Sequence, residues 1–238
     1  MEIPLFLAMT AGEVLGAEQL PRQLAWMACH FSPYGMGLSN LPDKLPDGTM
    51  LILNDRLPPE WHDPVLAAQI LVSAAQERKC SCILLDFQRA GNEKTASVVE
   101  AVLEMAQCPV GVSHGYAEGR SCPVLIPPVP PHMTLKEHLA PWQGREIWLE
   151  VGYVGTEITV TAEGSRYTSL PCFHPDEGTH EDPELGCHYE IEVSETEIRF
   201  RLGRTEADLR GLIETGAELG VTRAVGLWQE LGYDGTLL

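Results

Sequence analysis

Lysine is almost missing from this 238-residue chain, occurring only at Lys44, Lys79, Lys94 and Lys136. With 16 basic residues against 34 acidic ones, the formal net charge is −18 and the isoelectric point about 4.7. Such a surface repels phosphate, which argues against nucleic acid and anionic membranes as partners. A neutral or cationic substrate suits it better than a phosphorylated one. No run of about 18 or more apolar residues is present, so no helix is expected to span a bilayer. No glycine-rich phosphate loop follows the first strand-like run, which counts against a nucleotide-binding sheet. Met1-Glu2-Ile3-Pro4 has neither a basic n-region nor a cleavage site, so no secretory signal is expected. The seven cysteines are an odd number, and Cys29, Cys82 and Cys108 lie in apolar strand-like contexts where reduced buried thiols are common. A cytoplasmic, reducing location is the expectation.

What is present is alternation of strand-like and helix-like segments. Apolar runs at Ile3–Met9, Leu24–Phe31, Thr49–Leu53, Ser81–Gln88, Cys108–Ser113, Pro123–Pro127, Glu146–Tyr153 and Val221–Leu227 read as strands. A short helix is expected within Gly16–Gln23. Asp63-Pro64 opens a longer one through about Arg78, with Val65, Ala68, Gln69 and Val72 at helical spacing. Glu93–Ala106 is a second clear helix with Val98, Val102 and Met105 on one face. Leu135–Leu139 is a helical turn, and Thr205–Leu219 a last helix with Thr205 and Asp208 in capping-box positions. Glu157–Ala162 and Glu190–Arg201 alternate polar and apolar residues, as arms of a half-exposed antiparallel sheet do. Strands separated by helices favour parallel pairing. The fold class expected is α/β: a (β/α)8 TIM barrel over 1–238, with a small antiparallel β insertion near strand seven at approximately 155–203. An open doubly wound sheet is the alternative.

The most informative stretch is Ser81-Cys82-Ile83-Leu84-Leu85-Asp86-Phe87-Gln88-Arg89. In a strand, Leu84, Asp86 and Gln88 share one face, while Ile83, Leu85 and Phe87 share the other. The second face is wholly apolar, as a helix-covered face should be. The first places a carboxylate and a carboxamide at the C-terminal end, where α/β folds carry their chemistry.

This stretch resembles the acidic signature at the end of strand four in family 18 glycoside hydrolases, the chitinase-like barrels. There, three aspartates and a glutamate alternate, with an aromatic before the glutamate. Asp86 falls on the last aspartate and Phe87 on the aromatic, while Ser81 and Leu84 stand in place of the first two aspartates and Gln88 in place of the glutamate. Leu24–Phe31 is similar to the family's apolar second strand. Leu149-Glu150-Val151-Gly152-Tyr153-Val154-Gly155 resembles the end of strand seven, after which the family often inserts a small α+β subdomain. Ala224-Val225-Gly226-Leu227-Trp228 resembles strand eight, whose tryptophan floors the sugar subsite.

The resemblance implies substrate-assisted chemistry, in which the sugar's N-acetyl group is the nucleophile, the glutamate protonates the leaving oxygen and the aspartate orients the acetamide. Glutamine is isosteric but has no proton to give. Since general acid catalysis contributes about 10²–10⁴-fold, Gln88 implies a sugar-shaped site deprived of its acid. Whether the chain is an enzyme stays open. The readings are a glycan-binding chitinase-like barrel with weak or absent hydrolysis, an active glycosidase with its acid relocated to Glu150 or Glu230, and a non-catalytic structural or interaction protein.

Asp86 and Gln88 are accordingly the candidate catalytic pair. Trp228, Tyr153, Tyr116, Asp55, Asn54, Glu150 and Glu230 are candidate substrate-binding residues. Each has a plainer reading. Large aromatics are usually core, Asn54-Asp55-Arg56 can be a turn with Asp55 paired to Arg89, and Glu150 or Glu230 can point outward. His30 and His114 lie near strand ends, where satisfied polar histidines are commoner than bases; as a pair they remain candidate mouth groups. Cys172, His174, His180, Cys187 and His188 match no standard zinc spacing, and Pro171–Pro183 reads as a mobile insertion over the barrel mouth. No metal and no cofactor are expected. The partner expected is a small glycan or other small molecule, with no nucleic acid and no membrane; oligomeric state is not legible.

Overall fold

The computed structural model describes residues 3–89, 91–176 and 178–232. Fourteen strands and seven α-helices follow one another along it. Eight strands run parallel and close on themselves: β1 (Leu5–Met9), β2 (Leu24–Phe31), β4 (Met50–Asn54), β5 (Cys82–Asp86), β6 (Val110–Ser113), β7 (Val124–Ile126), β8 (Ile147–Val151) and β14 (Val221–Leu227). Closure is made by β1, which pairs with β14 on one side and β2 on the other. The protein is therefore a closed (β/α)8 barrel, not the open sheet. A two-residue strand, β3 (Leu38–Ser39), folds back antiparallel onto β2; nothing in the sequence pattern announced it.

Alternation along each strand divides two cores. Ile83 and Leu85 of β5 join a large outer cluster beneath the helices, with Phe87 just beyond the strand. Cys82 and Leu84 join a smaller inner cluster with Phe6, Met50, Ile52, Leu125, Trp148 and Val225. Trp148 is fully buried and fills the lumen. Gly111 on β6 makes room for it, since a Cβ there would lie 2.2 Å from Trp148 Cε3. Over the indole ring, the Arg223 guanidinium sits 4.7 Å from the ring centre, a cation–π contact. The lumen is a packed core.

The helices form where their ends are capped. Before α2 (Pro64–Glu77), the Asp63 carboxylate accepts from the Leu66 N–H, and Pro64 occupies the first turn. Before α3 (Glu93–Met105), the Asn92 side chain accepts from the Thr95 N–H. α6 (Glu206–Gly216) has the capping box of Thr205 and Asp208. α4 (His114–Ala117) and α5 (Leu135–Leu139) are short, so the outer layer is thin after β6 and β7.

Three local expectations are corrected. The first helix is α1 (Ala11–Gly16), started by a capping box of Thr10 and Glu13, and no helix covers Gly16–Gln23. α2 buries Ala67, Ala68, Leu71 and Val72, leaving Val65 and Gln69 exposed; small alanines let it lie close on the barrel. Glu190–Arg201 is a hairpin, not one arm: β12 (Cys187–Val193) turns at Ser194 into β13 (Glu197–Gly203). These two strands, with β9 (Gly155–Thr161), β10 (Gly164–Leu170) and β11 (His180–Asp182), make a separate five-stranded antiparallel sheet between β8 and α6. Its root is the Arg204 side chain, 2% exposed. That guanidinium donates to the carbonyls of Gly186 and Leu185 on the sheet side, and of Val129, Pro130 and Met133 in the loop after β7.

Candidate functional site

The C-terminal ends of the eight strands open into one mouth. Asp86, the last residue of β5, follows the inner residues Cys82 and Leu84 and so faces the lumen. The Gln88 carboxamide turns back over the strand end, its Nε2 donating to Asp86 Oδ1. Burial raises the Asp86 carboxyl above the ordinary aspartate range and the charge of Asp55 adds to this, while hydrogen bonds from Gln88 and Ser113 oppose it.

The loop carrying Gln88 is held from behind. The Asp55 carboxylate, 4% exposed, accepts from the backbone N–H groups of Gln88 (3.0 Å) and Arg89 (2.8 Å). The expected Asp55–Arg89 pairing thus runs through Arg89's main chain; its guanidinium donates instead to the Arg56 carbonyl. Ser113, buried at the end of β6, accepts from the Phe87 N–H at 2.9 Å and donates to the Leu85 carbonyl. Nothing singled out Ser113 in the sequence; only its position beside Asp86 on the neighbouring strand gives it meaning.

Glu150 on β8 lies two residues beyond Trp148 and shares its inward face. Burial, with the Asp86 charge adding to it, pushes its carboxyl up to about 8. It holds its proton at neutral pH, as a buried carboxyl without a cationic partner does. Asn54 ends β4 in register with Asp86; its Nδ2 donates to the Met27 carbonyl and its Oδ1 accepts from the Arg56 N–H. The mouth therefore gathers Asp86, Gln88, Asn54 and Glu150, with Asp55 bracing them.

The aromatic candidates lie elsewhere. Trp228 begins α7 (Trp228–Leu231) and packs on the outer cluster. Val225 faces inward within β14, but the strand ends at Leu227, and Trp228 packs toward the outer cluster rather than joining the inner one expected of an indole floor. Tyr116 is buried in the outer cluster against Phe87, ring centres 5.9 Å apart, with its hydroxyl donating to the Arg89 carbonyl. It shapes the loop from outside. Tyr153 also belongs to the outer cluster, with its ring 4.3 Å from that of His174. The Glu230 carboxylate accepts from the Tyr153 N–H at 3.3 Å, beside Gly152, where a Cβ would come 2.7 Å from Glu230 Oε2. It ties the end of β8 to α7. Of the two histidines, His30 is the penultimate residue of β2, in register with Asn54, whereas His114 is exposed against Trp142.

In the antiparallel sheet, Cys172 Sγ lies 3.4 Å from His174 Nε2, but His180 stacks on Tyr189 and His188 faces Thr179 and Asp208. Among the described residues, no group of three His, Cys, Asp or Glu side chains is arranged to hold a metal ion.

A closed parallel barrel, with an antiparallel sheet between its seventh and eighth strands, defines the class: a TIM-like α/β barrel. No protein-family model matches the sequence, and no curated protein matches it. Solved structures do. The chitinase of Chromobacterium violaceum ATCC 12472 is similar with a TM-score of 0.55 at 9% identity, over 94% of this chain and 93% of that one. The spore cortex-lytic enzyme SleL of Bacillus cereus is similar with a TM-score of 0.51 at 10% identity, over 94% of this chain and 70% of that one. SleL of Bacillus megaterium QM B1551 gives 0.51 at 12% identity, over 98% and 71%. At these identities the likeness is one of fold.

Proposed function

We propose that this chain is a chitinase-like barrel that binds an N-acetylated sugar or related small glycan at its C-terminal mouth, with weak or absent hydrolase activity. One observation carries the reading: at the end of β5, a carboxamide rather than a second carboxylate leans on Asp86. Asp86 and Gln88 can accept from and donate to a sugar acetamide and hydroxyls, but Gln88 has no proton to release to a leaving oxygen. Resemblance at the β5 signature and likeness of fold to enzymes named for chitin and spore cortex support a glycan as the ligand class. The reading does not draw on Trp228.

A second reading, an active glycosidase, is favoured by Glu150. Its protonated carboxyl in the mouth is a general acid in the right ionisation state at neutral pH. Glu230 is the weaker choice, because its carboxylate is engaged by the Tyr153 N–H. No described helix is long and apolar enough to cross a membrane. With the free cysteines, a cytoplasmic setting and soluble muropeptides or sugar fragments, rather than polymeric chitin, complete the proposal.

The test is hydrolysis of N-acetylglucosaminides by wild type, Gln88→Glu and Glu150→Gln. Activity in Gln88→Glu alone supports the first reading. Activity in wild type that Glu150→Gln abolishes supports the second. No activity and no oligosaccharide binding in any of them overturns both and leaves a non-catalytic structural or interaction protein.

A further inference from the structure

β2 runs out of step with its neighbour. Trp26 pairs with Leu51 of β4, yet the next pair is Cys29 with Leu53. Three steps along β2 span what two steps along β4 span, which is a β-bulge at Met27 and Ala28. Side chains alternate across a strand, so an unbulged β2 would turn Cys29 into the lumen and His30 out. The extra residue reverses them. Cys29 and Phe31 join the outer cluster, Ala25 and Met27 the inner one, and His30 faces the mouth. It pairs with Asn54, which pairs with Asp86. The three form one row across adjacent strands spaced about 4.8 Å apart.

The ring's tautomer follows from its own strand. His30 Nδ1 lies 2.8 Å from the Ala28 carbonyl oxygen. A carbonyl only accepts, so the neutral ring carries its proton on Nδ1 and leaves a bare lone pair on Nε2. The residue is half-buried, and among the described residues no partner meets Nε2. The Asn54 side chain, by contrast, is spent at both ends on backbone groups, and the Gln88 amide is turned to Asp86.

We propose that His30 is a ligand-contacting residue whose Nε2 accepts a hydrogen bond from a sugar hydroxyl bound beside Asp86. The bulge in β2 is what aims it there. The site then selects polyhydroxylated ligands with a donor at that place. This rests on the glycan reading of the mouth.

The experiment is calorimetric titration with two probes, the trimer of β-1,4-linked N-acetylglucosamine and the disaccharide of N-acetylglucosamine and N-acetylmuramic acid. The proteins are wild type, His30→Phe, His30→Gln and Asp86→Ala, each checked by thermal melting. His30→Phe fills the same space without an acceptor and is expected to bind about tenfold more weakly, the loss of one hydrogen bond of about 1.4 kcal/mol. His30→Gln presents an amide oxygen near the Nε2 position and is expected to keep most of the affinity. On wild type, the imidazole ¹⁵N resonance of Nε2 is expected to shift as the sugar is added; this decides the matter even if a variant misfolds. An unmoved Nε2 resonance, or His30→Phe binding as wild type does while Asp86→Ala loses the sugar, overturns the role of His30 and leaves the glycan reading standing. Wild type binding neither probe overturns both.

Discussion

Glu150 and Asp86 reach into the same mouth from β8 and β5, with β7 and β6 between them around the barrel, and the charge of Asp86 helps keep Glu150 protonated. The consequence is a pH-dependent stability. Glu150 titrates at about 8 in the folded chain but near 4.3 when unfolded, so between those values the native state holds a proton the unfolded state has released. Its contribution is fully present below about pH 4.3 and is lost as pH rises through about 8. Glu150→Gln, which cannot ionise, is expected to remove this slope: its melting temperature should gain on wild type steadily from pH 5 to pH 8. Parallel melting curves across that range refute the assignment.

Asp55→Ala tests the brace behind the site. It leaves the N–H groups of Gln88 and Arg89 without their acceptor. The expected cost is about 1.5–3 kcal/mol in chemical denaturation, the usual range for hydrogen bonds to a charged group. Amide exchange at Gln88 and Arg89 should rise more than at the centre of β5. Uniform acceleration instead would mean that Asp55 acts on global stability alone.

Gly111→Ala tests the packed lumen. The added methyl meets the Trp148 ring at 2.2 Å, and overpacking of this kind costs about 1–3 kcal/mol. Pairing it with Trp148→Phe, which frees ring volume, is expected to recover part of that loss, so the two changes should be non-additive. Strict additivity would count against contact between the two positions.

Arg204→Met removes the guanidinium that joins the antiparallel sheet to the loop after β7 and leaves several carbonyls without a donor. Limited proteolysis should then cut within 155–203 at protease concentrations that spare wild type, while the barrel fragments stay folded. An unchanged digestion pattern would show that the sheet is held by its own packing.

The barrel was legible in the sequence because its strands are short apolar runs separated by capped helices. Leu24–Phe31, Leu135–Leu139 and Val221–Leu227 have the same bounds in the structure as in the pattern. The sharing of a face by Asp86 and Leu84 was legible for the same reason: alternation is a local property of extended backbone and needs no partner strand.

What only the tertiary structure decided is how that alternation is phased against the rest of the barrel. The bulge in β2 is visible only through its register with β4, and it alone turns His30 inward. Trp228, Tyr116 and Tyr153 stand at the ends of strands or beyond them, where the chain leaves the ladder and long-range packing chooses the side; each went to the outer cluster. Glu150 and Glu230 stood level in the sequence as candidates for a relocated acid; only closure of the ring buried Glu150 near Asp86. Local periodicity states which residues travel together, but which of the two faces meets the lumen is set by hydrogen bonds between segments far apart in the chain.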